Sequence, residues 1–251
     1  MKKILASLFD AYEIDYDDDI LQKFNDYYYM LIEYNKVMNL TSITEVNDVA
    51  VKHFLDSVIL LKYVSRETFD DKLVADVGTG AGFPGIPLAI LLPDAKFILI
   101  DSLQKRLKFL EDLIRKLELS NVKLIHGRAE DLGHDKAYRG NFDYVVSRAV
   151  APLNILLEYD ISFLKVNGEL IAYKSQNIDS EIISSKHALN ELNCKLTDRI
   201  NFLLPDNSGD SGNGTNADPV FMERNILFIS KNGPTKNVYP RKAGTPKKKP
   251  L

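Results

Sequence analysis

Leu73-Val74-Ala75-Asp76-Val77-Gly78-Thr79-Gly80-Ala81-Gly82 decides the fold. A short apolar run passes directly into glycines, as a buried strand does when it ends in a tight turn. Glycines there let the backbone reverse and let a ligand approach within contact distance. The spacing predicts a helix from Gly85 to Leu92, closed by Pro93-Asp94. Pro84 fits the first helical turn, where a missing N–H costs nothing.

The same grammar repeats outward. Lys96 to Asp101 reads as a second strand, and Gln104 to Leu119 as a helix with Ser102 as its N-cap. Asn121 to His126, Phe142 to Ser147 and Gly168 to Lys174 read as further strands, with helices between. This alternation predicts an α/β, doubly wound, mostly parallel sheet. Cys194 to Leu204 and Asn225 to Lys231 have no helix between them, so they are expected as an antiparallel pair at one sheet edge. A polar loop, Asp206 to Asn216, joins them.

Upstream, Ile20, Leu21, Phe24, Tyr27, Tyr28, Leu31 and Ile32 recur at helical spacing, and a second helix starts near Asn47-Asp48. Three parts follow: a helical region over 1–70, the α/β domain over 71–231, and a tail over 232–251. A length of 251 residues, 45% of them hydrophobic, suits one large domain with a small extension.

One cysteine, Cys194, excludes an internal disulfide and a cysteine-rich zinc site. No metal is expected, and a reducing, cytoplasmic compartment is. The apolar run after Lys2-Lys3 stops at Asp10, too short for a membrane span or a secretory core. Net charge is −3, but Lys231 to Leu251 carries seven Lys/Arg and no acid. Such a tail is either a solvated end or an arm that contacts phosphate.

Ligands of open parallel sheets bind at the carboxyl ends of the strands. Asp101 ends the second strand, where a carboxylate can accept both hydroxyl protons of a ribose. Ala129-Glu130-Asp131 follows the third strand and would border an adenine. Gly80-Ala81-Gly82-Phe83-Pro84-Gly85 also matches a dinucleotide fingerprint. Against NAD, Pro84-Gly85 would interrupt the helix that cradles a pyrophosphate. Asp76, read as standing at the mouth, would repel a diphosphate but pair with a methionine ammonium. The residues therefore favour S-adenosylmethionine.

The chain also resembles a family, the RsmG (GidB) methyltransferases of bacterial small-subunit ribosomal RNA. The likeness rests on Tyr34-Asn35-Lys36, Asn39 to Thr44, Lys52 to Ser57, Asp76 to Pro87, Asp101 to Arg106, Ser147 to Pro152 and Pro240 to Pro246. It implies a Rossmann-like class I methyltransferase domain behind helices, and methylation at N7 of one guanine, number 527, in 16S ribosomal RNA or the small subunit. It places donor contacts at Gly78, Phe83, Asp101, Ser102, Leu103, Ala129, Glu130 and Arg148; Asp76 and Gly80 join them from the turn. A monomer is expected. The alternative is an RNA-binding or ribosome-assembly factor that keeps the fold without turnover.

Side-chain chemistry agrees with N7. Methylation at a pyrimidine C5 needs a cysteine nucleophile, and Cys194 lies far from the turn in sequence. Methylation of an exocyclic amine uses a polar-Pro-Pro-aromatic loop, absent from Ser147-Arg148-Ala149-Val150-Ala151-Pro152. Guanine N7 carries a lone pair and no proton, so no base is required. Arg148 either clamps a donor carboxylate or pairs with a sheet-end acid. His53 and Asp56 either bond to each other at i, i+3 or, with Asn39, line the target mouth. Lys105, Arg106, Arg128, Lys174, Arg241 and Lys242 are candidate RNA contacts. Tyr27-Tyr28-Tyr29 read mainly as core, with base stacking as the other option.

Overall fold

The computed structural model describes residues 1–176, 178–206 and 220–251. The loop expected from Asp206 to Asn216 lies, beyond Asp206 itself, outside the described residues. Seven strands form one sheet: β1 (Leu73–Val77), β2 (Lys96–Asp101), β3 (Val122–His126), β4 (Phe142–Arg148), β5 (Leu164–Ser175), β6 (Cys194–Pro205) and β7 (Phe221–Lys231). Their order is β3-β2-β1-β4-β5-β7-β6. β1 to β5 pair in parallel. β7 turns back and inserts between β5 and β6, antiparallel to both. The predicted edge pair is present, with β6 outermost.

The strand order reverses between β1 and β4, which opens a crevice above their carboxyl ends. β1 meets that crevice through the glycine turn. Gly78 and Thr79 N–H both donate to Ile100 O, at 2.9 and 3.0 Å.

The N-terminal helices share their core with the sheet. Helix Asp18–Met38 starts on an Asp17 side chain that accepts the Ile20 N–H at 2.8 Å. It buries Leu21, Phe24, Tyr27 and Leu31 on one stripe. Those residues and Phe54 join Phe83, Phe97 and Phe109 of the α/β part in one cluster. Of the three tyrosines, Tyr27 is buried and Tyr29 exposed. Helix Gln104–Lys116 departs from expectation at its start. Leu103 holds the N-cap position, and Ser102 does not cap. No side chain caps this helix; Asp101 instead closes the turn before it, its Oδ1 accepting the Leu103 N–H at 2.8 Å.

The basic tail is folded. Arg139 donates to the carbonyls of Thr235, Lys236 and Tyr239. Tyr239 and Pro246 are buried. Arg241 forks onto Glu158, Nε to Oε1 at 2.8 Å and Nη2 to Oε2 at 2.6 Å. No helix among the described residues is long and apolar enough to cross a membrane.

Candidate active site

Two cavities lie over the strand ends and meet at Gly78, Arg106, Ala149 and Val150. The smaller is about 360 Å³ and sits over β1, β2 and β3. The larger is about 730 Å³ and reaches from the glycine turn to Thr41, His53, Lys174 and Arg224.

Asp101 is the fixed point of the smaller cavity. It is 3% exposed, and its Oδ2 accepts the Gly80 N–H at 2.9 Å and Arg106 Nη1 at 3.3 Å. Ser102, Arg128, Ala129 and Glu130 complete the wall. Glu130 Oε1 accepts the Gly244 N–H at 3.0 Å, so the folded tail braces this wall from behind. Gly78 has φ +75, and a Cβ there would stand 2.8 Å from Val150 Cγ2. The floor is thus bare backbone under a valine.

Asp76 is not at the mouth. It is wholly buried beneath the turn, its Oδ2 accepting the Thr79 hydroxyl at 2.7 Å and the Gly85 N–H at 2.9 Å. Those bonds stiffen the turn and draw the carboxylate inward. Its Oδ1 has no hydrogen-bond partner. Burial lifts its pKa to about 6.

The larger cavity has an aromatic floor. Phe83 stacks between Tyr27, at 5.3 Å, and His53, at 4.5 Å. Arg148 lies over the same ring at 5.2 Å. Tyr27 also donates its hydroxyl to Ala81 O at 2.5 Å, tying the N-terminal helix to the turn.

His53 and Asp56 do not bond to each other. The segment Val49–Leu55 is π-helical, and its wider turn takes residues three apart off a common face. His53 Nε2 pairs with Thr41 Oγ1 at 2.8 Å. Asp56 Oδ2 takes Arg148 Nη1 at 2.7 Å, and its Oδ1 lies 3.7 Å from Arg224 Nε. Arg148 therefore shows the ion pair with an acid. Burial, with Arg148 beside it, lowers the His53 pKa to about 3, so the imidazole is neutral.

The structure gathers Gly78, Gly80, Phe83, Asp101, Ser102, Ala129, Glu130 and Arg148, with His53, Arg106, Arg128 and Lys174, around one cleft. Other expected residues fall outside it. Asn39 is exposed in a left-handed C-cap, while its neighbours Leu40 and Thr41 line the cavity. Leu103 is 43% exposed beyond the wall. Lys105 Nζ reaches Met38 O at 3.5 Å. Arg241 is engaged by Glu158, which is fully buried, so it anchors the tail instead of projecting from it. Lys242 is exposed on that folded tail. Sequence reading missed Thr41, Val150, Glu181 and Arg224. None of the four carried a local signal; Arg224 reaches the cavity only through the pairing of β7 with β5, which sets it opposite Ser175. Among the described residues, no group of three or more His, Cys, Asp or Glu could hold a metal ion.

This sheet order, with a glycine turn and an acidic β2 end facing one cleft, defines a class I methyltransferase. Residues 20–203 match the family described as GidB, rRNA small subunit methyltransferase G, and the chain belongs to that family. It is 46% identical over 232 residues to the ribosomal RNA small subunit methyltransferase G of Streptococcus agalactiae, covering 92% of this chain and 91% of that one. The protein of the same name from Desulfitobacterium hafniense is 45% identical over 238 residues, covering 95% and 92%. Among solved structures, Trm5b from Pyrococcus abyssi aligns with a TM-score of 0.51 at 15% identity, over 77% of this chain and 52% of that one, a likeness of fold alone. S-adenosylmethionine is the cofactor. The residues present fit it: Gly78 offers a floor without a side chain, and Asp101 holds a buried carboxylate at the β2 end.

Proposed function

We propose that this enzyme methylates N7 of a guanine in 16S ribosomal RNA, guanine 527 by family resemblance, acting as a cytoplasmic monomer. On this reading residues 71–231 hold the donor, residues 1–70 wall the target side, and residues 232–251 brace the donor wall.

One observation carries the choice of N7: the cleft offers a cationic target side on which the two carboxylates, Asp56 and Glu181, are each paired with a cation. Neutral His53, with its pKa near 3, is too weak to take a proton at neutral pH. Asp56 is held between two guanidinium groups. A nucleophile with a lone pair and no proton needs neither.

S-adenosylmethionine supplies an electrophilic methyl group when bound. The chain's own residues do the rest by placement. Asp101 is positioned to accept the ribose hydroxyls, Ala129 and Glu130 to border the adenine, and Gly78 to permit close approach. Arg148, fixed by Asp56, lines the cavity beside the glycine turn and retains N–H groups for a carboxylate. Ala149 and Val150 give the junction an apolar side opposite Arg106. Holding N7 in line with the methyl carbon can supply on the order of 7–11 kcal/mol of the barrier. Arg106, Arg128 and Lys242 are placed to meet RNA phosphates.

The test incubates the protein with methyl-labelled donor and small-subunit RNA lacking the modification, then maps the labelled base. Label at one guanine N7 is expected. Label on an exocyclic amine or a pyrimidine would sink the assignment, and donor binding without any product would favour an assembly factor.

A further inference from the structure

The larger cavity contains two carboxylates, and they are not equivalent. Asp56 is 6% exposed and has both oxygens committed to Arg148 and Arg224. Glu181, on the helix Ile178–Ser184, has one oxygen committed and one to spare. Its Oε1 accepts Lys174 Nζ at 2.6 Å and also the Leu153 N–H. Among the described residues, its Oε2 takes no hydrogen bond. Lys174 is fixed as well, donating to Ala151 O at 2.8 Å. An ammonium has three N–H groups, so one remains. The lysine side chain is 10% exposed and the glutamate 27%, and both line the cavity that holds Gly78 and Phe83. A lysine meant for backbone phosphate stands free in solvent; this one is shielded and locked to an acid.

We infer that Lys174 and Glu181 together read the Watson–Crick edge of the target base and select guanine. The inference rests on the N7 reading above. Guanine presents, along that edge, an acceptor at O6, then donors at N1 and N2. The third Lys174 N–H meets O6, and Glu181 Oε2 accepts from both N1 and N2. N7 lies on the opposite side of the ring, free to face the methyl group. Adenine also has a nucleophilic N7, but its edge runs donor then acceptor. It would set its amine against the ammonium and its N1 lone pair against the carboxylate. Polar mismatch of this kind is the strongest discrimination a pocket can supply. The same carboxylate offsets the positive charge that methylation places on the ring. An edge read in this way must be unpaired, so the target enters as a splayed or flipped base.

The test uses the full-length protein and one RNA made with guanosine, inosine or 2-aminopurine at the mapped position. Inosine lacks only the N2 amine; 2-aminopurine lacks O6 and the N1 proton. Wild type is expected to lose roughly 10- to 100-fold in kcat/KM on each analogue. Glu181→Gln is expected to lose about as much on guanosine and to bring the inosine-to-guanosine ratio near one, with donor affinity by calorimetry kept within about two-fold. A wild-type product other than N7-methylguanosine overturns the functional reading, and this inference with it. N7-methylguanosine formed with no preference over inosine, or an unchanged ratio in Glu181→Gln, overturns the Lys174–Glu181 assignment alone.

Discussion

The two cavities that meet at Gly78 are built on different plans. The smaller cavity, proposed for the donor, draws mainly on the ends of β1, β2 and β3, with Ala149, Val150 and Tyr159 from beyond β4, and centres on one carboxylate clamped by backbone N–H groups. The larger cavity, proposed for the target base, draws on the N-terminal helices, β4, β5, the helix Ile178–Ser184 and β7, and its wall holds a set of mutually paired charged side chains. A ligand of fixed shape is met by fixed backbone. A nucleic-acid target is met by side chains that distant segments must bring together, so its recognition depends on the whole fold.

The largest expected effect concerns what supports the donor side. Arg241 forks onto Glu158, and the adjoining Gly244 N–H is held by Glu130 of the donor wall. Arg241→Ala strips the buried Glu158 of its guanidinium and leaves it only the backbone N–H of residue 241, at 2.7 Å; breaking a buried pair costs about 3–5 kcal/mol, and the retained bond holds the loss toward the lower end. Urea unfolding should show that loss, with donor affinity falling alongside. If stability holds while RNA affinity and its salt dependence collapse, the tail is a phosphate arm after all. A tail deletion cannot separate these outcomes, because it removes the anchor and the lysines together.

Asp101→Ala comes next. Hydrogen bonds to a charged acceptor are worth about 1.5–3 kcal/mol each, so donor affinity by calorimetry should fall by roughly 100-fold. RNA affinity should change by less than about three-fold, since the target wall is untouched. Equal losses in both would show that the two cavities do not act as separate units.

The same contrast explains what the sequence made legible. β1, the glycine turn and Asp101 were readable because strand ends and turns are local features. The edge pair was readable too, since no helix separates β6 from β7. Arg224 was not, because its place depends on β7 inserting beside β5, which sets Arg224 opposite Ser175. Val150 reaches Gly78 because Ala149 adopts φ +58, which its sequence does not announce. Of the two readings open for His53 and Asp56, the mutual bond is absent because helical spacing does not hold where the helix widens, while both line the larger cavity. The tail's composition suggested either a solvated end or a phosphate-contacting arm, but Tyr239, Arg241 and Pro246 anchor it between the exposed lysines.

Asp76 gives a pH test of the turn's stiffness. Its folded pKa of about 6 lies above the ordinary 3.8 because it is buried. Between those values the folded state holds the proton that the unfolded state has released. This contribution to stability is therefore fully present below about pH 4, falls as pH rises to about 6, and is flat beyond. Its size is on the order of 3 kcal/mol. Asp76→Asn should flatten that part of the profile, read from urea midpoints at pH 4.5 and 7. An identical slope in the variant would place the titration elsewhere.

The smallest effect is expected at the target wall. His53 is the ring nearest Phe83, and a histidine there invites the idea of a base that titrates near neutrality. Burial and Arg148 instead hold its pKa to about 3, so its charge does not change at any working pH. With donor and RNA saturating and ionic strength fixed, kcat should vary by less than about two-fold between pH 6 and 8. A limb near pH 6.5 that disappears in His53→Asn would mean the imidazole takes part in proton transfer. That result would undo the division drawn here, because the target side would then do chemistry as well as recognition. A flat profile leaves His53 as a stacking surface fixed by Thr41, with the reaction governed by how the base is held against the donor.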